Sequence, residues 1–402
     1  MSVTTKGIEA IKQTIIEHVD QNKERYLKTS HQIHAKPEIG NEEYFASSLL
    51  IELLREEGFE IEKGVGTHET AFVARRKSTK EGLAVAFLAE YDALPGIGHA
   101  CGHNIIGTTS VAAAIALSKV IDEVGGEVVV FGTPAEEGGP NGSAKGSFVR
   151  EGLLVGIDAA IMLHPGNETR LTGPSLGVDP LDFEFFGKPA HASANPDQGV
   201  NALDGVIQLF NGINALREHL PQDVTIHGII TDGGDAPNIV PEYAKARFFI
   251  RAETKPVLKE VSKKLRAIAE GAALITGATV EISRFQNEVD NFIRNQGFDH
   301  VFKDIIEELG ETIYSEDKKA FGSTDAGNIS QVVPTIHPTI KIGPNELVGH
   351  TVEFREAAKS EKGDEALIIG AKANALTMLE LLLNKSTFSK IQQEFDGRSE
   401  TV

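Results

Sequence analysis

The sequence predicts an α/β protein whose mostly parallel sheet is interrupted by a smaller inserted α+β domain of ferredoxin-like order. Three observations carry this. In the first part of the chain, short apolar runs at 83–88, 127–131 and 159–163 alternate with helical patterns, as in a parallel sheet built from crossover units. From about Leu176 to about Asn287 the order becomes β-α-β-β-α-β, the split ferredoxin-like unit. The α/β pattern then resumes. The expected division is a main domain of residues 1–175 and 288–402 and an inserted domain of residues 176–287.

In chain order, Ile8, Ile11, Ile15 and Val19 repeat at helical spacing and open a helix that runs to about His34, before Pro37 stops it. Residues 42–57 form a second helix, with Ala46, Leu49, Leu50, Leu53 and Leu54 apolar and Gly58 as a stop signal. Strands follow at 71–74 and 83–88, then a helix over 108–120 and strands at 127–131 and 159–163. The inserted domain reads as strands 181–186, 224–230, 244–250 and 279–284, with helices 200–220 and 256–276. Beyond it, helices are expected at 297–309 and 361–383 and strands at 335–342 and 351–354. The polar tail after Asn384 is expected to fray.

Composition sets outer limits. The chain has 402 residues, ample for a large core and for two or three domains. A formal net charge of −19 argues against nucleic acid or an anionic membrane as a partner. The single Cys excludes an intrachain disulfide. No secretory h-region is visible after Met1, and no apolar run is expected to reach the length of a membrane span, so a cytoplasmic protein is expected.

Chemistry concentrates where the apolar strands end. Cys101-Gly102-His103 follows the 83–88 strand, Glu136-Glu137 follows the 127–131 strand, and His164 follows the 159–163 strand. In a parallel sheet these loops share one edge, so their residues can converge. Thiolate and imidazole one residue apart suit zinc or a similar first-row metal if the backbone is extended there. The same residues also fit a buried Cys beside a helix-capping His. Neighbouring carboxylates in an extended loop point opposite ways, so one can bind metal while the other acts as general base. Adjacent Glu residues are also commonly just solvated. His164 and His350 read as strand-end or loop histidines that gain meaning only from the other donors. His191 lies in the inserted domain, where pattern alone does not connect it to the sheet edge. Gly322-Ser323-Thr324-Asp325 lacks the frame of a nucleophile elbow, and Gly96-Ile97-Gly98 is too short for a dinucleotide fingerprint.

Together, the run from Glu90 to Asn104, Glu136-Glu137, His164-Pro165, the segment around His191, Pro237-Asn238-Ile239-Val240-Pro241 and Gly349-His350-Thr351 resemble the aminoacylase/carboxypeptidase-type metallopeptidases. The resemblance is to the amidohydrolase branch, with the auxin-conjugate and aminobenzoyl-glutamate hydrolases, and within it to β-alanyl-lysine dipeptidase-like members. It spans nearly the whole chain. It implies two divalent metal ions, zinc or manganese with cobalt as a further option. Cys101 would bridge them, and His103, Glu137, His164 and His350 would complete the protein ligands. It further implies Glu136 as general base, Asp92 as an acidic support, His191 as an oxyanion donor acting across a homodimer formed by the inserted domain, and Asn238 and Arg251 as holders of the substrate carboxylate. Asn104, Ile106, Tyr91 and Glu90 depart from the wider branch and match the dipeptidase-like subgroup. The expected reaction is hydrolysis of the amide bond of a dipeptide or an N-acyl amino acid. The rivals are a catalytically silent relative and a thiol enzyme using Cys101, the latter with no resolving cysteine in the chain.

Overall fold

The strand Ala84–Ala89 lies inside a six-stranded sheet in the computed structural model, which describes residues 5–314 and 322–399. The strand order is Glu60–Lys63, Phe72–Lys77, Glu127–Gly132, Ala84–Ala89, Ala159–Ile161, Thr335–Ile336. The last four run parallel to one another, and Phe72–Lys77 is antiparallel to its neighbours. The sheet is covered on both faces, and its residues alternate between two apolar clusters. Val85, Phe87, Val128, Val130 and Ile161 join the cluster of the helices Thr5–Gln21, Lys23–Ala35, Tyr44–Glu56, His103–Ser118 and Glu361–Leu383. Ala86, Leu88, Val129, Phe131 and Ala160 face Phe148 and Ile329 on the other side. A strand buried on both faces has no polar alternation, which is why these strands read as continuous apolar runs.

The chain divides into two compact units, one running to Pro174 and resuming at Phe292, the other comprising Ser175–Asn291 and residues 322–324. The second unit has its own four-stranded antiparallel sheet, ordered Thr279–Arg284, Gly177–Phe186, Tyr243–Ala252, Thr225–Asp232. The helices Ala202–Arg217 and Lys255–Thr276 close a separate core around Phe183, Phe185 and Phe248. Numbered within the unit, the strand order is 4-1-3-2, the ferredoxin-like arrangement the pattern predicts.

Several local expectations are corrected. The N-terminal helix breaks at Asn22, whose side chain donates to the His18 carbonyl at 2.9 Å, giving two helices rather than one. The strand expected at 351–354 is the start of the helix Val352–Ala357, because Thr351 accepts the Phe354 N–H and caps it. The strand expected at 335–342 is split around His337-Pro338. Its second half, Thr339–Lys341, pairs in parallel with His164–Gly166 as a separate ribbon. The tail expected to fray is the helix Lys385–Ser399. It buries Ile391, and its Glu394 carboxylate accepts the Gln296 and Gly297 N–H groups at 2.9 and 2.8 Å. Among the described residues one helix, Glu361–Leu383, is long and apolar enough to cross a membrane, contrary to expectation. Of its apolar stretch, 72% is buried within the protein, so its apolar surface serves the core.

Asp299, near the start of the helix Gln296–Glu308, is a buried carboxylate that accepts from the Thr172 N–H and hydroxyl at 3.2 and 2.7 Å. Burial outweighs those hydrogen bonds and raises its pKa to about 6. Below about pH 4 the carboxyl is protonated in both folded and unfolded chains and carries no penalty. As pH rises through about 6 the folded state alone must surrender a proton it holds tightly, so stability is lost. Asp299→Asn keeps an oxygen acceptor and removes the charge. It is expected to raise thermal stability at pH 8, by at most about 3 kcal/mol, and to give no gain below pH 4. Equal melting temperatures at pH 8 would refute this.

Candidate metal centre

The strand Ala84–Ala89 delivers its C-terminal end directly into the site. Glu90 and Asp92, two apart on an extended segment, are both buried, at 1% exposure. Beyond them the chain turns at Gly102, whose φ of +80° is left-handed. A Cβ there would lie 2.5 Å from Pro165 Cγ, so glycine alone fits between Cys101 and His103. The backbone between these residues is a tight left-handed turn, which the glycine at 102 permits. The helix begins at His103 rather than at Thr108.

Asp92 ties the site together. Its Oδ1 accepts from His103 Nδ1 at 2.9 Å, and its Oδ2 accepts the Glu137 N–H at 2.9 Å. The first bond fixes the His103 tautomer and leaves Nε2 as a lone pair facing the site. Glu136 and Glu137 follow Ala135, which holds a left-handed φ of +58°. That backbone is held by buried Glu43, whose Oε1 accepts the Ala135 N–H at 2.9 Å and whose other oxygen accepts from the Thr70 hydroxyl at 2.7 Å. Burial raises the Glu43 pKa to about 7, with Asp92 adding to the effect.

His164 opens the short strand His164–Gly166, and its Nδ1 donates to the Pro165 carbonyl at 2.7 Å, which makes Nε2 the acceptor nitrogen. That Nε2 lies 3.5 Å from Cys101 Sγ. His350 also has a left-handed φ, +63°, and its N–H donates to the Ala100 carbonyl at 2.9 Å. This bond pins the late loop to the cysteine loop and places His350 Nε2 3.5 Å from Glu137 Oε1. Strained backbone at Ala135 and His350 flanks the donors, as is common where side-chain placement matters more than local comfort.

Among the described residues the donor atoms form three overlapping groups, each within 4.8 Å of one another: Cys101, His103 and His164; Cys101, Glu137 and His350; Glu90, His103 and Glu136. The buried atoms Glu90 Oε2, His103 Nε2 and Glu137 Oε1 make no hydrogen bond. Unpartnered buried lone pairs that face one another are costly unless a cation lies between them. Sulfur, imidazole and carboxylate donors in one pocket match a first-row divalent ion. The electrostatics agree. Burial works against charge on His103, but Asp92 and Glu90 outweigh it and raise its proton affinity well above the usual histidine range. Burial, then Glu90, Asp325 and Glu137, raise Glu136 well above the usual carboxylate range. Burial pushes the Cys101 thiol up, so a thiolate there calls for a cation.

Three residues around the site carry weight that sequence reasoning did not give them. Lys145 is buried on the short helix Ala144–Arg150 and bonds Glu90 Oε1 at 2.6 Å and Asp325 Oδ1 at 2.5 Å. Burial favours a neutral Glu90, but Lys145 and His103 outweigh it and hold its pKa down to about 2. Spacing two residues before Asp92 was the signal for Glu90. His337 stacks edge-on behind His164 with ring centroids 5.6 Å apart. Burial and then His164 lower its pKa to about 3, so it is a neutral wall. The sequence-predicted Cys101, His103, Glu136, Glu137, His164, His350 and Asp92 all meet in this one place.

His191, Asn238 and Arg251 belong to the other compact unit. His191 and Asn238 are neighbours there, since the Ala192 N–H donates to the Asn238 carbonyl at 3.0 Å, and both are exposed. His191 Nδ1 faces the Ala194 and Ser193 N–H groups at 3.3 and 3.4 Å, which puts the ring proton on Nε2. Arg251 sits on the strand Tyr243–Ala252 with a buried Nε that makes no hydrogen bond, and burial lowers its pKa.

Comparison with known proteins agrees with this architecture. Residues 177–276 match the peptidase dimerisation domain of the M20 family. The chain is 34% identical to Xaa-Arg dipeptidase of Mus musculus over 403 residues, covering 96% of this chain and 93% of the relative. It is 32% identical to a chain of the p-aminobenzoyl-glutamate hydrolase of Escherichia coli K12, covering 98% and 96%. Among solved structures, the aminobenzoyl-glutamate utilization protein of Klebsiella pneumoniae superposes with a TM-score of 0.71 at 18% identity, covering 92% of this chain and 97% of that one. A dinuclear metal-binding M20 peptidase from Bacillus subtilis superposes at 0.62 with 21% identity, covering 89% and 98%. Fold, donor set and relatives together define a metal-dependent hydrolase of carbon–nitrogen bonds. The chain belongs to the M20 peptidase family.

Proposed function

We propose that the chain cleaves dipeptides, foremost those ending in a basic residue, at a centre of two divalent ions held by Cys101, His103, Glu137, His164 and His350. The observation that carries this is the convergence of unpartnered buried donors, His103 Nε2 and Glu137 Oε1, beside the Glu136 carboxylate, which shares a donor group with His103 and Glu90. Near-full-length similarity to an Xaa-Arg dipeptidase supports the substrate class. Zinc or manganese fits the mixed sulfur, nitrogen and oxygen donors. Bound there, the ions would supply Lewis acidity toward the scissile carbonyl.

The chain's own residues do the rest. Glu136 takes the proton of the attacking water and returns it to the leaving amine. Asp92 keeps His103 in the tautomer that presents Nε2 to the site. Acting across a homodimer, His191, with its proton on Nε2, would donate to the developing oxyanion. Arg251 and Asn238 hold the carboxylate of the released amino acid, and the unpartnered Arg251 Nε supports that role. A homodimer through the Ser175–Asn291 unit is supported by the match to a peptidase dimerisation domain.

A hydrolysis panel with added zinc, manganese or cobalt tests this reading. It compares β-alanyl and α-aminoacyl dipeptides ending in Lys, Arg or ornithine with aminobenzoyl-glutamate and acetylated amino acids. Chelator-sensitive cleavage of the basic dipeptides above the others is expected. Preference for aminobenzoyl-glutamate would move the assignment to the amidohydrolase side of the family, and no cleavage with any metal would sink it.

A further inference from the structure

We propose that Glu90 is a further protein ligand of the metal centre, aimed into it by a buried Lys145–Asp325 ion pair. The inference rests on the metal reading above and adds to it a residue and the device that places it.

Lys145 is 0% exposed. A buried ammonium is tolerated only when paired, and a single carboxylate would balance its charge. Asp325 already does so: its Oδ1 takes the ammonium at 2.5 Å and its Oδ2 accepts the Lys145 N–H at 3.1 Å. Both Asp325 oxygens are therefore used. Glu90 is a second carboxylate on the same ammonium, bonded through Oε1 at 2.6 Å. The buried group of three thus carries one negative charge in excess, and its unpartnered oxygen is Glu90 Oε2.

That oxygen is aimed at the site. It lies 3.4 Å from His103 Nε2, which is itself unpartnered because the ring proton on Nδ1 goes to Asp92. A carboxylate oxygen and an imidazole nitrogen this close, with no hydrogen bond between them, leave a place for a shared cation. The same oxygen shares a 4.8 Å donor group with His103 and Glu136. A merely structural partner for Lys145 would leave no such orphan. Lys145 fixes one Glu90 oxygen, which restricts the rotation of the carboxylate and presents the other.

The test uses the full chain stripped with a chelator and then titrated with zinc against a competing chromophoric chelator, with melting temperatures read before and after loading. Glu90→Gln keeps an oxygen for Lys145 and removes the free carboxylate oxygen. Glu90→Asp keeps the negative charge beside Lys145 but draws the carboxylate back from the site by one methylene, a second variant should the first fold poorly. Each variant is expected to bind at least one ion about ten-fold or more weakly. The melting temperature of the stripped protein should stay near that of the wild type, while the rise on metal loading shrinks. Wild-type affinity for both ions in the variants would overturn the proposal, as would a lowered melting temperature of the stripped protein with an unchanged rise on loading. Failure of the wild-type chain to take up metal would overturn the underlying metal reading itself, and this inference with it.

Discussion

Replacing Glu136 by glutamine is expected to lower turnover by roughly 10²–10⁴-fold while metal content stays at the wild-type level. The substitution keeps the side-chain volume and removes the proton acceptor. The measurement is paired: turnover on a cleaved dipeptide and metal per chain in the same preparation. The pairing matters because Glu136 shares a donor group with Glu90 and His103, with Oε2 3.9 Å from His103 Nε2. Metal lost together with turnover would make Glu136 a ligand rather than the base. Turnover within ten-fold of wild type would remove it from the mechanism.

Cys101→Ala is expected to have the larger effect on metal itself. Cys101 belongs to two of the three donor groups, with His103 and His164 on one side and Glu137 and His350 on the other. Its removal takes a candidate donor from both. Changes to outer partners of metal ligands commonly weaken binding by about 10–100-fold, and loss of a shared ligand should exceed that range. Chelator competition measures the loss. Because this is the only cysteine in the chain, alkylation reports on the same atom: metal should protect the wild-type thiol, and stripping should expose it. Two ions held at wild-type affinity without Cys101 would exclude it as the bridge.

Much of the site was legible because its signals are local. Cys101, Glu136 and His164 each stand just past an apolar run, and a parallel sheet brings such strand ends to one edge whatever the loops do. What stayed hidden depends on residues far apart in the chain. Lys145 meets Asp325 across 180 positions, and Glu43 meets Ala135 across 92. Lys145 also sits on a helix of seven residues behind a glycine-rich loop, too short to show periodicity. The tail helix Lys385–Ser399 escapes a sequence reading because it is mostly polar and is held by a few anchors, Ile391 and Glu394 among them.

The sequence by itself determined the class of fold, the inserted ferredoxin-like unit and the donors at the strand ends. Each is written in periodicity or in spacing along a single stretch of chain. Only the tertiary structure decided how those donors are aimed. The left-handed backbone at Ala135 and His350 is set by hydrogen bonds to Glu43 and to the Ala100 carbonyl, and the orphan oxygen of Glu90 is set by an ammonium from another loop. Orientation of a buried charge is fixed by whichever groups surround it in space. No pattern along the chain records that until the chain has folded.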